Sequence, residues 1–297
     1  MNKIGRILVS LALGGLFLTS CSVVPITGRR QLSLVPDTEI MQSSLAQYRS
    51  FVNQAPRSRN TTYNAMVDRV GRKVAAATDA FLRKNNMASM ANQMQWEFNT
   101  IESNQINAFC MPGGKIVVYT GLLKLVNSDD ELACVIGHEV SHAVAKHSNE
   151  RLSQEVLRQL GGQVLGVAVS NKNAALQQVI GQAYGLGTQL FVALPYGRKQ
   201  EYEADKMGLV FMTMAGYNPN AAINFWKKMS AKSGGNQNEL LSTHPSDAHR
   251  IAELQKYMPE ALKYAPQGGP SKIQQNSVNS NKGGSGKKSK TSDKWHF

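Results

Sequence analysis

His138-Glu139-Val140-Ser141-His142 sits inside an apolar helical run, and the reading of the whole chain grows from it. An α-helix advances about 100° per residue, so His138 and His142 differ by about 40° and project from one face. Two imidazoles at that spacing can hold one Zn²⁺, with Glu139 beside them as a base for a water at the metal. Upstream, Ser128-Asp129-Asp130-Glu131 reads as a helix start ahead of Leu132-Ala133-Cys134-Val135-Ile136. The helix is expected to run from about Asp129 to Ser148. His147 then falls about 140° from His142, off the metal face, and reads as structural or surface.

A catalytic zinc takes three protein ligands and keeps a position open for water. The stretch from Arg198 to Gly208 offers Glu201, Glu203 and Asp205 on what reads as a second helix. Glu201 and Asp205 are four apart and share a face, while Glu203 lies about 200° from Glu201. Only one of the two glutamates can therefore serve the site, and a charged run of this kind is most often a solvated helix face.

These motifs have an order. H-E-x-x-H is followed by E-x-x-x-D, with Asn107-Ala108-Phe109 through Pro112-Gly113-Gly114 upstream and Thr243-His244-Pro245 downstream. From about Thr27 to Arg250 the chain resembles the Ste24/HtpX/Oma1-like zinc metallopeptidases, and is most similar to their bacterial lipoprotein branch. The resemblance implies Zn²⁺ as cofactor, one per chain, held by His138, His142 and Glu201, with Asp205 supporting a ligating histidine. It implies an α+β fold: a mainly helical zincin domain of the gluzincin type, with a small antiparallel sheet and an active-site edge strand. Asn107, Ala108 and Phe109 would belong to that edge, where a substrate backbone pairs as an added strand. His244 is either a fourth zinc ligand in a resting enzyme or an oxyanion donor, and Arg250, in H-P-x-x-x-x-R, is a second oxyanion candidate. Glu139 would be the general base. The activity implied is endopeptidase cleavage of unfolded or misassembled envelope proteins. A competing class is a zinc-stabilised chaperone or assembly factor for outer-membrane proteins, with little proteolysis.

The flanks of the chain read separately. Residues 1–20 open with Lys3 and Arg6 and continue in an apolar run, Ile7 to Leu18, too short to span a bilayer; this is a secretory signal. Leu18-Thr19-Ser20-Cys21 resembles the bacterial lipobox, which makes Cys21 a candidate lipidation site and residues 21–36 an extended lipidated segment. The protease domain is expected over 37–265, and the Lys/Gly/Ser-rich tail, 266–297, is expected to be disordered. Of the formal +13, Lys3 and Arg6 carry two and the tail a net five, leaving +6 for the body. No basic run is interleaved with aromatics, so an anionic membrane face suits this charge better than nucleic acid. The expected location is the bacterial envelope, lipid-anchored at the outer membrane and facing the periplasm.

Within the body, helices are expected from Asp37 to about Asn53 and from Thr61 to about Asn85, the second with Met66, Val70, Val74 and Ala77 on one face. Trp96–Ile101, Ile106–Cys110 and Lys115–Tyr119 read as strands, with Pro112-Gly113-Gly114 turning between the last two. Leu152 to Leu194 is rich in Gly, Ala and Leu but broken by Asn171-Lys172-Asn173, and reads as a helical hairpin packed over the site. Cys110 and Cys134 are an even pair in an oxidising compartment, so a disulfide and two buried thiols are equally compatible with the sequence.

Overall fold

A computed structural model describes residues 21–163, 197–231, 239–244 and 248–266. Residues 1–20, expected to be a signal peptide, most of the 152–194 stretch expected to form a hairpin, Pro245 and the tail after residue 266 lie outside the described residues. The chain enters through a hairpin of β1 (Cys21–Val23) and β2 (Arg30–Leu32), then runs through α1 (Asp37–Gln54), α2 (Thr61–Lys84) and α3 (Ala88–Gln93). Strands β3 (Glu97–Ile101), β4 (Ala108–Met111) and β5 (Lys115–Tyr119) follow, then α4 (Thr120–Leu123), α5 (Asp129–Val144) and α6 (His147–Gln163). The remaining helices are α7 (Arg198–Met214), α8 (Asn220–Ala231), α9 (Glu239–Thr243) and α10 (Ala248–Ala261), before a closing 3₁₀ turn.

The segment expected to be extended is instead a hairpin, folded back where Ile26 and Gly28 take φ of 68° and 70°. This arm is stitched to the body. Gln31 Nε2 donates to the Ala145 carbonyl at 2.7 Å, the Leu34 N–H to Ser153 Oγ at 2.8 Å, and Asn149 Nδ2 to the Val35 carbonyl at 3.0 Å. Val24 is buried in the main core.

The three-stranded sheet has the order β3-β5-β4. It is mixed, which corrects the expected antiparallel sheet. Gly113 and Gly114, at φ of 90° and 78°, close a tight turn that makes β4 antiparallel to β5. β3 pairs with the other side of β5 and runs parallel to it. Alternation along the strands divides the core in two. Ala108, Cys110, Ile116 and Val118 face α2 and α5, whereas Phe109, Met111, Val117 and Tyr119 face α1 through Ile40, Tyr48 and Val52.

α2 starts where Asn60 Oδ1 accepts the Tyr63 N–H at 3.0 Å, and its Val67, Val70, Val74 and Phe81 pack into the core shared with α5. α5 starts at Ser128, whose Oγ accepts the Glu131 N–H at 3.2 Å, as the sequence led one to expect. It ends earlier than expected, at Val144. Lys146 takes φ of 56°, and α6 starts immediately afterwards in a new direction with His147 as its first residue.

α5 crosses α7 at two glycines. A Cβ on Gly137 would lie 2.9 Å from the Gly208 carbonyl oxygen, and one on Gly208 would lie 2.9 Å from the His138 nitrogen. The two backbones therefore touch beside the first metal-face histidine. Gly to Ala in an ordinary helix stabilises by about 0.5–1 kcal/mol. Here the added methyl has no space, so Gly208→Ala is expected to lower unfolding stability by about 1–3 kcal/mol. Chemical denaturation of the two proteins checks the sign; a stabilised variant would mean that the helices can move apart freely.

Candidate metal centre

The fold brings four side chains around one point, two of them by the helical spacing of His138 and His142. His138 and His142 come from α5, Glu201 from the first turn of α7, and His244 from the residue after α9; all four are buried. Their ligand atoms lie within 4.8 Å of one another. His138 Nε2 is 3.1 Å from His142 Nε2 and 3.2 Å from His244 Nδ1. Glu201 Oε2 is 3.4 Å from His138 Nε2, and Glu201 Oε1 is 3.4 Å from His142 Nε2 and 3.0 Å from His244 Nδ1.

These separations decide what the cluster is for. Ligands about 2.0–2.1 Å from a tetrahedral Zn²⁺ stand about 3.3–3.4 Å apart, close to the 3.0–3.4 Å separations here. With Asp205 behind His138 and His147 behind His142 fixing the ring protons, the inner nitrogens of these two imidazoles would otherwise point lone pairs at one another. A cation at the centre resolves that conflict, so the residues fit zinc. The set also explains how Glu201 stays charged. Burial opposes ionisation, but the neighbouring His244 and the Arg250 guanidinium outweigh it and hold the carboxyl well below the usual range.

Behind each α5 histidine stands a buried support. His138 Nδ1 is 2.9 Å from Asp205 Oδ1, and Arg250 grips that carboxylate with Nε on Oδ2 and Nη2 on Oδ1, both at 2.7 Å. Arg250 Nη1 is also 2.8 Å from Glu201 Oε2, and its guanidinium carbon lies 3.9 Å from the centre of the Trp226 ring. The oxyanion role expected for Arg250 does not match this placement. It reaches Asp205, Glu201 and the His244 carbonyl, and so stands behind the ligands.

His142 is supported by a residue read as structural or surface. The turn at Lys146 swings His147 back until its Nδ1 is 2.8 Å from His142 Nδ1, and it is fully buried. Its Nε2 is 3.0 Å from Glu203 Oε2. Glu203 does point away from the metal, as its position on the helix requires, but it faces this interior network and not solvent. No local pattern marks His147 or Glu203, because the helix break and the partner are both tertiary.

Glu139 is buried next to the ligands, and burial pushes its carboxyl up to about 7. Its Oε1 has no hydrogen-bond partner among the described residues, with His244 Nε2 at 3.5 Å. Ala108 opens β4 at the sheet's edge, with Phe109 next to it and Asn107 just before the strand. The Asn107 carbonyl accepts the Tyr119 N–H at 3.1 Å, so by antiparallel alternation the backbone groups of Ala108 and Cys110 point outward from the sheet. Cys110 and Cys134 are free buried thiols, which corrects the disulfide alternative; both pack in the main core as small apolar groups, and burial pushes both thiols up.

One set of substitutions separates ligand from support. His138→Ala or Glu201→Ala should remove most bound zinc, measured by metal analysis of the purified protein. Asp205→Ala should weaken zinc by about 10–100-fold without abolishing it. Zinc kept by Glu201→Ala but lost by Glu203→Ala would reverse the two glutamates.

The geometry is matched by relatives of known kind. The family described as Peptidase family M48 matches residues 62–258. A mitochondrial metalloendopeptidase OMA1 from Schizosaccharomyces pombe is 35% identical over 182 residues, covering 61% of this chain and 52% of the relative. The human mitochondrial metalloendopeptidase OMA1 is 29% identical over 256 residues, covering 83% of this chain and 48% of its own length. A beta-barrel assembly-enhancing protease from Yersinia pestis is 28% identical over 193 residues, covering 60% and 39%. The chain thus spans about half or less of these curated relatives. Since the match takes in α2 through α10 and every residue of the metal cluster, this chain belongs to peptidase family M48.

Proposed function

We propose that this chain is a zinc-dependent endopeptidase of the bacterial cell envelope that cleaves unfolded or misassembled envelope proteins. The observation that carries the reading is the tetrahedral set of His138, His142, Glu201 and His244 with the Glu139 carboxyl beside it. A purely structural zinc has no use for that base. The bacterial relative named for β-barrel assembly supports the envelope setting, and Leu18-Thr19-Ser20-Cys21 supports lipid attachment at Cys21. Among the described residues no helix is long and apolar enough to cross a membrane.

His138, His142 and Glu201 would hold the zinc. When bound, zinc lowers the pKa of a water and polarises the scissile carbonyl. Glu139 Oε1 takes the proton from the attacking water and delivers it to the leaving amine. The outward backbone groups of Ala108 and Cys110 would pair with the substrate backbone and set its distance from α5. Such pairing reads main chain, so a flexible or unfolded client is the natural substrate.

His244 occupies the corner that water needs. The segment carrying it is tied down where the Leu240 N–H donates to the Ile106 carbonyl at 2.9 Å, just ahead of β4. On this reading the arrangement is a closed, resting one, and turnover would require His244 to withdraw. This same closure favours the rival reading of a zinc-stabilised assembly factor with little proteolysis. Cleavage of an unfolded protein such as casein decides between them. Glu139→Gln should keep zinc and lose activity by several orders of magnitude, while His244→Ala should cleave faster than wild type. If wild type, His244→Ala and Glu139→Gln all left the substrate intact with zinc bound, the assembly-factor reading would replace this one.

A further inference from the structure

The two arginines behind the metal cluster come from opposite ends of the described chain. Arg250 serves His138 through one carboxylate. Arg29, on the N-terminal hairpin arm, stands at the end of a longer path to His142. Its Nε donates to Glu203 Oε2 at 2.8 Å, and Nη1 and Nη2 reach Glu150 Oε1 and Oε2 at 2.6 and 2.9 Å. Thr27 Oγ1 donates to Glu203 Oε1 from the same arm, and Gln200 Nε2 donates to Glu150 Oε2 at 2.7 Å. Glu203 in turn faces His147, and His147 faces His142.

Only one assignment of protons satisfies this path. With His142 Nε2 turned to the metal, its Nδ1 carries the proton and donates to His147 Nδ1. His147 Nε2 then carries its own proton and donates to Glu203, whose charge is matched by Arg29. Each link fixes the tautomer of the one before it. Neutral imidazole ligands depend on such an outer acceptor for ring orientation and basicity. Here the acceptor is a second histidine, and the charge that anchors it is supplied by a segment 174 residues from Glu203.

We propose that Arg29 is a positioning residue for the metal: docking of the N-terminal arm sets His147 and Glu203 and thereby the zinc affinity of His142. The stretch Thr27-Gly28-Arg29 is then the latch of the metal site and not a passive spacer. Arg29 suits the position because its planar fork grips two carboxylates at once, which a single ammonium does less well.

This inference rests on the zinc reading above, and its test keeps the two apart. Zinc affinity of the full chain is measured by competition with a chromophoric chelator, and the Co²⁺-substituted absorption spectrum reports ligand geometry. Arg29→Ala is expected to weaken zinc by about 10–100-fold and shift the Co²⁺ bands, with Arg29→Lys recovering part of the loss. Arg30→Ala, an exposed charge on the same arm, should bind as wild type does. Glu203→Gln, close to isosteric, covers the case in which Arg29→Ala fails to fold, and should also lose at least about tenfold. The double variant should be no weaker than the poorer single one, since both act through His147. A wild-type protein that binds no zinc overturns both readings. Zinc bound by wild type, with folded Arg29→Ala or Glu203→Gln inside twofold of it and unchanged Co²⁺ bands, overturns this inference alone.

Discussion

The contact on which the rest depends is the crossing of α5 and α7 at Gly137 and Gly208. Backbone meets backbone there, with no side chain between. Two helices kept apart by ordinary side chains run about 8–10 Å between axes. At that distance a glutamate on α7 would have to stretch to reach imidazoles on α5. The glycines remove that gap, and Glu201, two turns before Gly208, comes within 3.4 Å of both His138 and His142. Catalytic geometry in this protein is thus a consequence of a packing choice one residue before the first ligand.

That close approach creates an electrostatic problem, because the carboxyl groups of Glu139, Glu150, Glu201, Glu203 and Asp205 and the imidazoles of His138, His142, His147 and His244 are all buried around it. Isolated buried charges are costly, and they persist only where partners and hydrogen bonds match them. Two arginines meet the requirement. Arg250 lies against Trp226 and neutralises Asp205 and Glu201; Arg29 neutralises Glu203 and Glu150 from the arm. The interior therefore carries its charge as two separate chains, one behind each α5 histidine. Both chains turn a flexible ring into one with a single tautomer and orientation.

The sheet contributes less energy than placement. β5 is buried throughout and holds β4 at the edge of the sheet, where β4 packs against α5. His244 reaches the metal cluster from the end of α9, its Nδ1 3.2 Å from His138 Nε2 and 3.0 Å from Glu201 Oε1.

What the sequence by itself determined is whatever follows from the angle per residue along a helix or the alternation along a strand. His138 with His142, Glu201 with Asp205, the separation of Glu201 from Glu203, the Ser128 cap and the turn at Gly113-Gly114 all follow from such local rules. The order of the motifs, by resemblance, supplied the family and zinc. Tertiary structure alone decided the rest. Lys146 breaks α5 and turns His147 inward, since a positive φ at lysine is not written in local propensity. It placed Arg250 behind the ligands, kept Cys110 and Cys134 as thiols, made the sheet mixed and joined Arg29 to Glu203. Each of these is set by which surfaces pack together across long stretches of chain, and packing is a property of the assembled fold that no short window of residues encodes.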